Sequence, residues 1–277
     1  MVPFTAPMSE PVICFGQQPN GFFPKRFFHA KVTTARRLRQ EIGGRIVYFC
    51  HDSDHDYRET TTPLRDLRTG DLKRLNFDHV SKIQKKYTPL YAKRIRPDWQ
   101  ERTARVLPCF VAPALVRIFE SVRAETAADF CLEMYGALGI LEGIEVVRSG
   151  DPDLRRRAID VEDYYVDVPH DGELVRARRQ GGRLTLHRGG GQYLEIPDRE
   201  TGKECRSPTR DTRLRWMQSV VRCTHYVAGA GEIQYLNRDE TPEINFVERD
   251  VIERPHESFV EGPFIREPDA RADAPSR

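Results

Sequence analysis

The 277-residue sequence lacks several features that would assign a protein to a class at once. No apolar run approaches the ~18 residues that a membrane-spanning helix needs. The N-terminus has neither the charged segment nor the apolar segment of a signal peptide, so we expect none. The six cysteines are scattered and form no C-x-x-C pair, which is typical of a reduced, cytosolic protein. A thiol nucleophile stays open as the alternative.

A large net charge of one sign is also missing, because 44 basic residues face 42 acidic ones and leave +2. This balance predicts no general affinity for nucleic acid or for an anionic membrane surface. Apolar residues make up 39% and charged residues 31% of the chain, a composition typical of soluble, folded proteins. The length suits one large domain or two small ones.

The clearest positive signal is a strand, a polar loop, a helix, a glycine stop, a second strand and a second polar loop. In chain order these are 12–15, Gly16-Gln17-Gln18, about 25–42, Gly43-Gly44, 45–50 and 51–56. This order predicts a βαβ unit with two parallel strands. Open α/β sheets bind ligands outside the carboxyl ends of their strands. The two polar loops should therefore face one crevice.

The loop after the first strand contains groups that can hold an anion. Gly16 permits a sharp exit from the strand, Gln17 and Gln18 carry uncharged amides, and Pro19-Asn20-Gly21 predicts a turn. Free backbone N–H groups at the start of a helix can hold a phosphate or a carboxylate. The pattern is neither a Walker loop nor G-x-G-x-x-G, and an ordinary polar loop is the alternative.

The loop after the second strand has five potential proton carriers or metal ligands in six positions. Asp54 and Asp56 could hold His55 as a general base, since a neighbouring carboxylate raises a histidine pKa and fixes the ring. Alternatively the cluster could bind Zn, Mn or Fe. Ser53 stands where the H-x-H-x-D-H pattern of binuclear metal hydrolases needs a histidine. A purely structural turn is the third interpretation.

The rest of the chain alternates helix and strand, with an antiparallel part between. Predicted helices lie at 72–91 (weakly), within 108–142, at 151–157, at 214–221 and at 233–236, and predicted core strands at 143–147, 225–227, 244–247 and 251–252. Residues 160–200 predict a β-rich insertion with turns at 171–172, 181–182 and 189–191. Residues 1–10 and 258–277 predict flexible tails around a core of 11–257.

The small residues at 228–231 precede the last predicted helix. They let the backbone come close to a ligand at a helix N-terminus. Glu232, just inside that helix, could meet a hydroxyl group or an amine. A turn of small residues between a strand and a helix is also common without any such role.

Taken together, these segments resemble the Rossmann-like core of the bacillithiol-biosynthesis cysteine-adding enzymes. Four pieces in the family's order carry the resemblance: 15–18 with Lys31; Asp54-His55-Asp56 after an apolar strand; 143–147 with 151–154; and Ser207-Pro208, Arg213 and 226–233 with Tyr235. The match covers about 12–254. It implies a parallel-sheet α/β core related to the nucleotide-binding nucleotidyltransferases.

The resemblance also implies an activity, a site and a cofactor. The family joins cysteine to the amine of glucosaminyl-malate, and because a carboxylate must be activated before it forms an amide, ATP is the implied cofactor. The implied catalytic residues are Asp54, His55 and Asp56, and the implied substrate- or nucleotide-binding residues are Gly16, Gln17, Gln18, Asn20, Arg213, Gly229, Gly231, Glu232 and Tyr235. We expect small-molecule substrates as partners and a cytoplasmic location, and we assign no metal-binding residue.

The sequence departs from the family in three places. Residues 20–25 read Asn-Gly-Phe-Phe-Pro-Lys where the family has Gly-Leu-Phe-Thr-Gly-Pro, and Ala230 replaces a proline. No segment after the core matches the family's C-terminal coiled coil, so its mode of dimerisation does not carry over, and a homo-oligomer or a partner subunit stays open. Three hypotheses follow: an ATP-dependent ligase that adds cysteine or another amino acid to a small amine, a non-catalytic nucleotide- or substrate-binding core, and a metal hydrolase.

Overall fold

The computed structural model describes residues 10–260, so most of both predicted tails lies outside the described residues. The strands are β1 (Val12–Gln17), β2 (Arg45–Cys50), β3 (Thr62–Arg65), β4 (Leu72–Leu75), β5 (Ile144–Arg148), β6 (Tyr164–His170), β7 (Glu173–Gln180), β8 (Arg183–Gly189), β9 (Gln192–Ile196), β10 (Arg206–Pro208), β11 (His225–Ala228) and β12 (Asn245–Glu248). The helices are α1 (Arg26–Ile42), α2 (Lys82–Tyr87), α3 (Trp99–Arg105), α4 (Pro113–Ser121), α5 (Ala127–Ala137), α6 (Pro152–Arg157), α7 (Arg213–Val221) and α8 (Ala230–Ile233). Single 3₁₀ turns lie at Leu90–Ala92, Lys203–Cys205 and Arg238–Glu240.

Five parallel strands form the central sheet in the order β12-β11-β1-β2-β5. The chain moves from β1 through β2 to β5 on one side and returns to β11 and β12 on the other. This is a Rossmann-like arrangement, and the predicted βαβ unit is confirmed. The order reverses between β1 and β11, and open sheets of this type bind ligands at such a reversal.

Both faces of the central sheet are buried, because successive side chains of a strand point to opposite faces. Ile13 and Phe15 pack on the side of α1, α4 and α5. Cys14 and Phe49 pack on the other side, against α6 and α7. Burying an aromatic or large aliphatic side chain contributes roughly 1.5–3 kcal/mol, so these two layers hold the strand ends in place.

The structure explains why residues 20–25 differ from the sequence of the cysteine-adding family. Phe22 and Phe23 are fully buried, and the Phe22 ring lies 5.7 Å from Trp99 and 5.0 Å from Phe119, measured between ring centroids. The first loop therefore fills the hydrophobic core beneath α3 and α4. A phosphate-cradling loop would need the same backbone at the surface.

The predicted β-rich insertion is confirmed as a five-stranded antiparallel sheet in the order β10-β6-β7-β8-β9. It has its own small core, which includes Val166, Val175 and Leu184. The predicted turns are present, with positive φ at Asp171, Gly172 and the glycines at 181–182 and 189–191. The short edge strands β9 and β10 were not predicted.

Three local predictions are wrong. Residues 72–75 form a strand that pairs with β3, so the helix predicted over 72–91 covers only α2. Tertiary pairing overrides a weak local helical preference here. The last short helix begins at Ala230 and ends where it was predicted to begin. Residues 251–252 form no strand.

The described chain continues slightly beyond the predicted tail boundary. Ser258 donates a backbone hydrogen bond to Pro63 O (2.7 Å), and Phe259 donates one to Pro24 O (2.7 Å).

Within residues 10–260, no helix has the length and apolar character needed to cross a membrane.

Candidate functional site

A crevice of about 790 Å³ lies at the carboxyl ends of β1 and β11, where the strand order reverses. Its walls come from the loop after β1, the turn after β11, and the start of α7. A volume of this size falls in the range of small-molecule sites. The polar lining residues include Gly16, Gln17, Gln18, Lys25, Lys31, His51, Asp56, Arg58, Glu59, Arg213, Tyr226, Gly229, Gly231, Glu232, Tyr235, Arg249 and His256.

The floor of the crevice is an ion pair between Lys31 of α1 and Glu232 of α8. Lys31 lies on the buried face of α1, so its side chain is only 2% exposed. Its ammonium donates to Glu232 Oε2 (2.5 Å), Gly16 O (2.8 Å) and Gln17 Oε1 (3.3 Å). All three N–H groups are satisfied, and the pair connects the ends of β1 and β11.

Tyr226 completes this floor. Its hydroxyl donates to Glu232 Oε1 (3.1 Å) and accepts from Gly16 N (3.1 Å). Burial raises the pKa of Tyr226, so the phenol stays neutral and can donate. A Cβ at Gly16 would lie 2.5 Å from Tyr226 Oη and 2.6 Å from His51 Nε2. Only glycine fits there without displacing a wall of the crevice.

Three cationic side chains reach the crevice without a carboxylate partner. Within residues 10–260, the Arg213 guanidinium forms no hydrogen bond or ion pair. Arg249 lies beside Gly229 and donates to the backbone O of Asp250 (2.8 Å). Lys25 donates to the backbone O of Glu59 (2.8 Å), and burial lowers its pKa. The crevice therefore favours an anionic ligand.

Asp54 is a structural anion behind the crevice wall. Its carboxylate accepts from the backbone N of His55 (2.6 Å) and of Asp56 (3.2 Å), and from Gln18 Nε2 (3.2 Å). Burial alone would raise the pKa of Asp54, but Arg176, with its Nη1 at 3.5 Å, is the main group that holds this pKa below its ordinary value. The contact with Gln18 confirms that the two polar loops share one edge of the sheet.

His55 points away from the crevice, towards the antiparallel sheet. Its ring centroid lies 6.1 Å from that of Tyr165, and its Nδ1 is 3.6 Å from Asp54 Oδ1. Burial, followed by the charge of Arg176, lowers the pKa of His55 to about 4. The expectation that neighbouring carboxylates raise the pKa of His55 is therefore wrong, because desolvation outweighs the attraction of Asp54.

The start of α1 does not offer the free N–H groups that the sequence predicted. The backbone N–H of Arg26 donates to Glu257 O (2.8 Å), and that of Phe27 donates to Pro255 O (3.0 Å). Carbonyl groups near the C-terminal end of the described chain thus satisfy this helix terminus. Asn20 is also structural, since its Oδ1 accepts from Lys25 N (2.8 Å) in the buried loop.

The structure brings together most of the residues predicted for the site. Those that line the crevice are Gly16, Gln17, Gln18, Asp56, Arg213, Gly229, Gly231, Glu232 and Tyr235, whereas Asn20, Asp54 and His55 do not. Tyr226 and Lys31 were not predicted as site residues, although both belong to the pieces that resemble the cysteine-adding enzymes. Arg249 and His256 follow no local pattern, and only the fold places them there.

Within residues 10–260, no group of three or more His, Cys, Asp or Glu side chains is placed to hold a metal ion. The cluster at 51–56 is instead divided, with His51 and Asp56 at the crevice and His55 turned towards Tyr165.

No protein-family model and no curated protein sequence matches this chain.

Proposed function

We propose that this protein is an ATP-dependent carbon–nitrogen ligase that joins an amino acid, such as cysteine, to a small amine. The proposal follows the resemblance to the cysteine-adding enzymes, whose product is a low-molecular-weight thiol precursor. The observation that carries it is the crevice at the strand-order reversal, which is lined both by the Lys31–Glu232 pair and by Arg213, a residue with no ion pair within residues 10–260. An anion-binding group and a carboxylate thus share one pocket of small-molecule size.

Arg213 is the residue assigned to the carboxylate or phosphate of the ligand. Its planar guanidinium can bind two oxygens at once, and within residues 10–260 it forms no hydrogen bond or ion pair. The first turn of α7 holds its backbone, and the buried side chains of Leu214 and Met217 fix the helix on the central sheet. The backbone of Arg213 is therefore fixed before any ligand binds, and its guanidinium stays available to the ligand.

Glu232 is the residue assigned to the amine. An ammonium group must lose a proton before its nitrogen can attack a carbonyl carbon. Lys31 donates to Glu232 Oε2 and Tyr226 to Glu232 Oε1, so both carboxylate oxygens have fixed positions in the floor of the crevice. An ammonium that enters the crevice can pair with this carboxylate and transfer a proton to it.

The residues of the crevice fit an anionic cofactor through side chains. With the start of α1 satisfied by backbone carbonyls, Arg213 and Arg249 would hold the phosphates of ATP. When bound, ATP supplies the leaving group that a free carboxylate lacks.

A second candidate is a non-catalytic core that binds the same ligands as a partner subunit. The position of His55 favours this alternative, because the residue predicted as the acid or base lies outside the crevice. Such a protein would bind nucleotide and amine but would form no product.

The test combines binding with turnover. The purified protein is mixed with ATP, Mg²⁺, cysteine and glucosaminyl-malate, and the amide and the nucleotide products are measured by mass spectrometry. Thermal shift with each ligand measures binding separately, since a ligand at ~100 times its Kd stabilises the fold by about 2.7 kcal/mol. Binding with amide formation supports the ligase, and binding without it supports the partner subunit. If the protein neither binds a ligand nor forms the amide, the ligase and the partner subunit are both refuted.

Arg213→Ala is the decisive variant. It should weaken ligand binding roughly 10- to 100-fold, since a hydrogen bond to a charged group contributes ~1.5–3 kcal/mol. Arg215→Ala is the matched control, because Arg215 lies on the same helix but pairs with Glu243 at 2.9 Å on the exposed side. Equal binding by the two variants would remove Arg213 from the site.

A further inference from the structure

The antiparallel sheet reaches the crevice through one buried arginine. Arg176 lies in β7, opposite Asp167 of β6, and is only 8% exposed. Its guanidinium lies 3.9 Å from the centroid of the Tyr165 ring, which covers one face of the cation. A charged group this far from water must have partners, and those partners lie on both sides of the site.

The first partner is Asp54, and a chain of side-chain contacts leads from it to the floor of the crevice. Asp54 Oδ2 accepts from Gln18 Nε2 (3.2 Å), and Gln18 Oε1 accepts from Gln17 Nε2 (3.0 Å). Gln17 Oε1 then accepts from Lys31 Nζ (3.3 Å), which binds Glu232. The order of donors and acceptors fixes both amide groups, because each amide uses its N–H side towards one neighbour and its oxygen towards the other.

The second set of partners lies just before α7. Arg176 Nε donates to Ser207 Oγ (3.3 Å), and Nη2 donates to Pro208 O (3.3 Å). Pro208 ends β10, and five residues later Arg213 begins α7 at the crevice wall. One guanidinium therefore connects the loop after β2 with the segment that leads to the anion-binding arginine.

We propose that Arg176 is a positioning residue for the crevice, which acts through Asp54 and Gln18 on the first loop and through β10 on the start of α7. In this role the antiparallel sheet is part of the site although it does not line it. The inference rests on the proposed function only in taking the crevice as the ligand site. Arginine suits the position because its fork donates in three directions at once and keeps its charge when buried.

The experiment follows the side-chain amide of Gln18 by NMR in the full-length protein. Its two N–H signals are assigned by their loss in Gln18→Leu, and their chemical shifts and exchange rates are compared between wild type and Arg176→Gln. Arg179→Gln is the matched control, since Arg179 lies on the same strand but pairs with Asp198 at 2.7 Å. The affinity of each protein for ATP is measured by calorimetry.

Arg176→Gln should shift the Gln18 amide signals, speed their exchange at least 10-fold and weaken ATP binding roughly 10-fold. Arg179→Gln should leave both readouts as in wild type. Unchanged Gln18 signals in Arg176→Gln, or an equal change in Arg179→Gln, would overturn the proposal. If Arg176→Gln does not fold, Asp54→Asn interrupts the same chain, and unchanged Gln18 signals in it would be equally decisive.

The two proposals fail in different ways. If wild type does not bind ATP, the assignment of that cofactor fails, and the Gln18 signals alone decide the role of Arg176. If ATP binds equally well to wild type and Arg176→Gln while the Gln18 amide is released, Arg176 does not position the ligand site and the inference is refuted.

Discussion

Replacing Lys31 by methionine removes the cation from the floor of the crevice and leaves its shape nearly unchanged. Methionine is unbranched and only one heavy atom shorter than lysine, and it suits the apolar surroundings of α1. The acceptors that lose a donor are Gly16 O, Gln17 Oε1 and Glu232 Oε2. The variant therefore tests whether the ion pair holds β1 and β11 together.

The magnitude follows from the burial of the two partners. Removing one partner of a buried ion pair costs ~3–5 kcal/mol, because the other charge stays without compensation. Glu232 is 16% exposed and keeps its contacts with Tyr226 Oη and Gly229 N, so water and these donors reduce the penalty. We expect a loss of about 3 kcal/mol in the free energy of unfolding, at the lower end of that range.

Urea unfolding, followed by fluorescence and circular dichroism, measures the loss. With a slope of ~3 kcal/mol per molar urea, the midpoint should fall by about 1 M. The double variant Lys31→Met with Glu232→Gln should be more stable than Lys31→Met alone, because it leaves no uncompensated charge. Arg37→Met is the control on the same helix, since its pair with Asp250 is exposed and its loss should change little.

The reasoning would be refuted by either of two results. One is a midpoint for Lys31→Met within the error of wild type, which would mean that Glu232 is solvated without the lysine. The other is a double variant less stable than the single variant, which would mean that the neutral glutamine, and not the missing charge, is the main perturbation.

Three further outcomes are expected. Gly16→Ala should fold less stably and lose ligand binding, because its Cβ would lie 2.5 Å from Tyr226 Oη; wild-type affinity in calorimetry would show that the wall moves freely. Burial lowers the pKa of Lys93 to about 7, and its ordinary value is about 10.4. Between these pH values the Lys93 amine is protonated only in the unfolded state. The stability of wild type relative to Lys93→Met should therefore rise from pH 7 to pH 10, by at most about 1.4 kcal/mol per pH unit. A difference in unfolding free energy that stays constant with pH in urea titrations would contradict this. Among the thiols, exposed Cys109 should react first with an aromatic disulfide reagent, and half-exposed Cys205 should react more slowly. Cys109→Ser should therefore lose the fast phase of the reaction. An unchanged fast phase would disprove its assignment to Cys109.

The local pattern of apolar, polar and glycine residues was sufficient to predict the central βαβ unit. The apolar runs of β1 and β2 are buried on both faces, and Gly43-Gly44 can adopt the positive φ that ends α1. Because parallel strands of one unit end at the same edge, the meeting of Gln18 with Asp54 followed from chain order alone. These features depend on neighbours in sequence or on topology, and both can be read from one chain.

The tertiary structure decided which of the polar residues line the crevice. The sequence alone could not show that His55 turns towards Tyr165, or that Arg176 joins Asp54 from a different sheet, because these contacts join residues 110 or more positions apart. It also could not show that carbonyls at 255 and 257 satisfy the start of α1. Residue types and strand order determined where a site could form, whereas the direction of each side chain was set by packing and desolvation between distant segments.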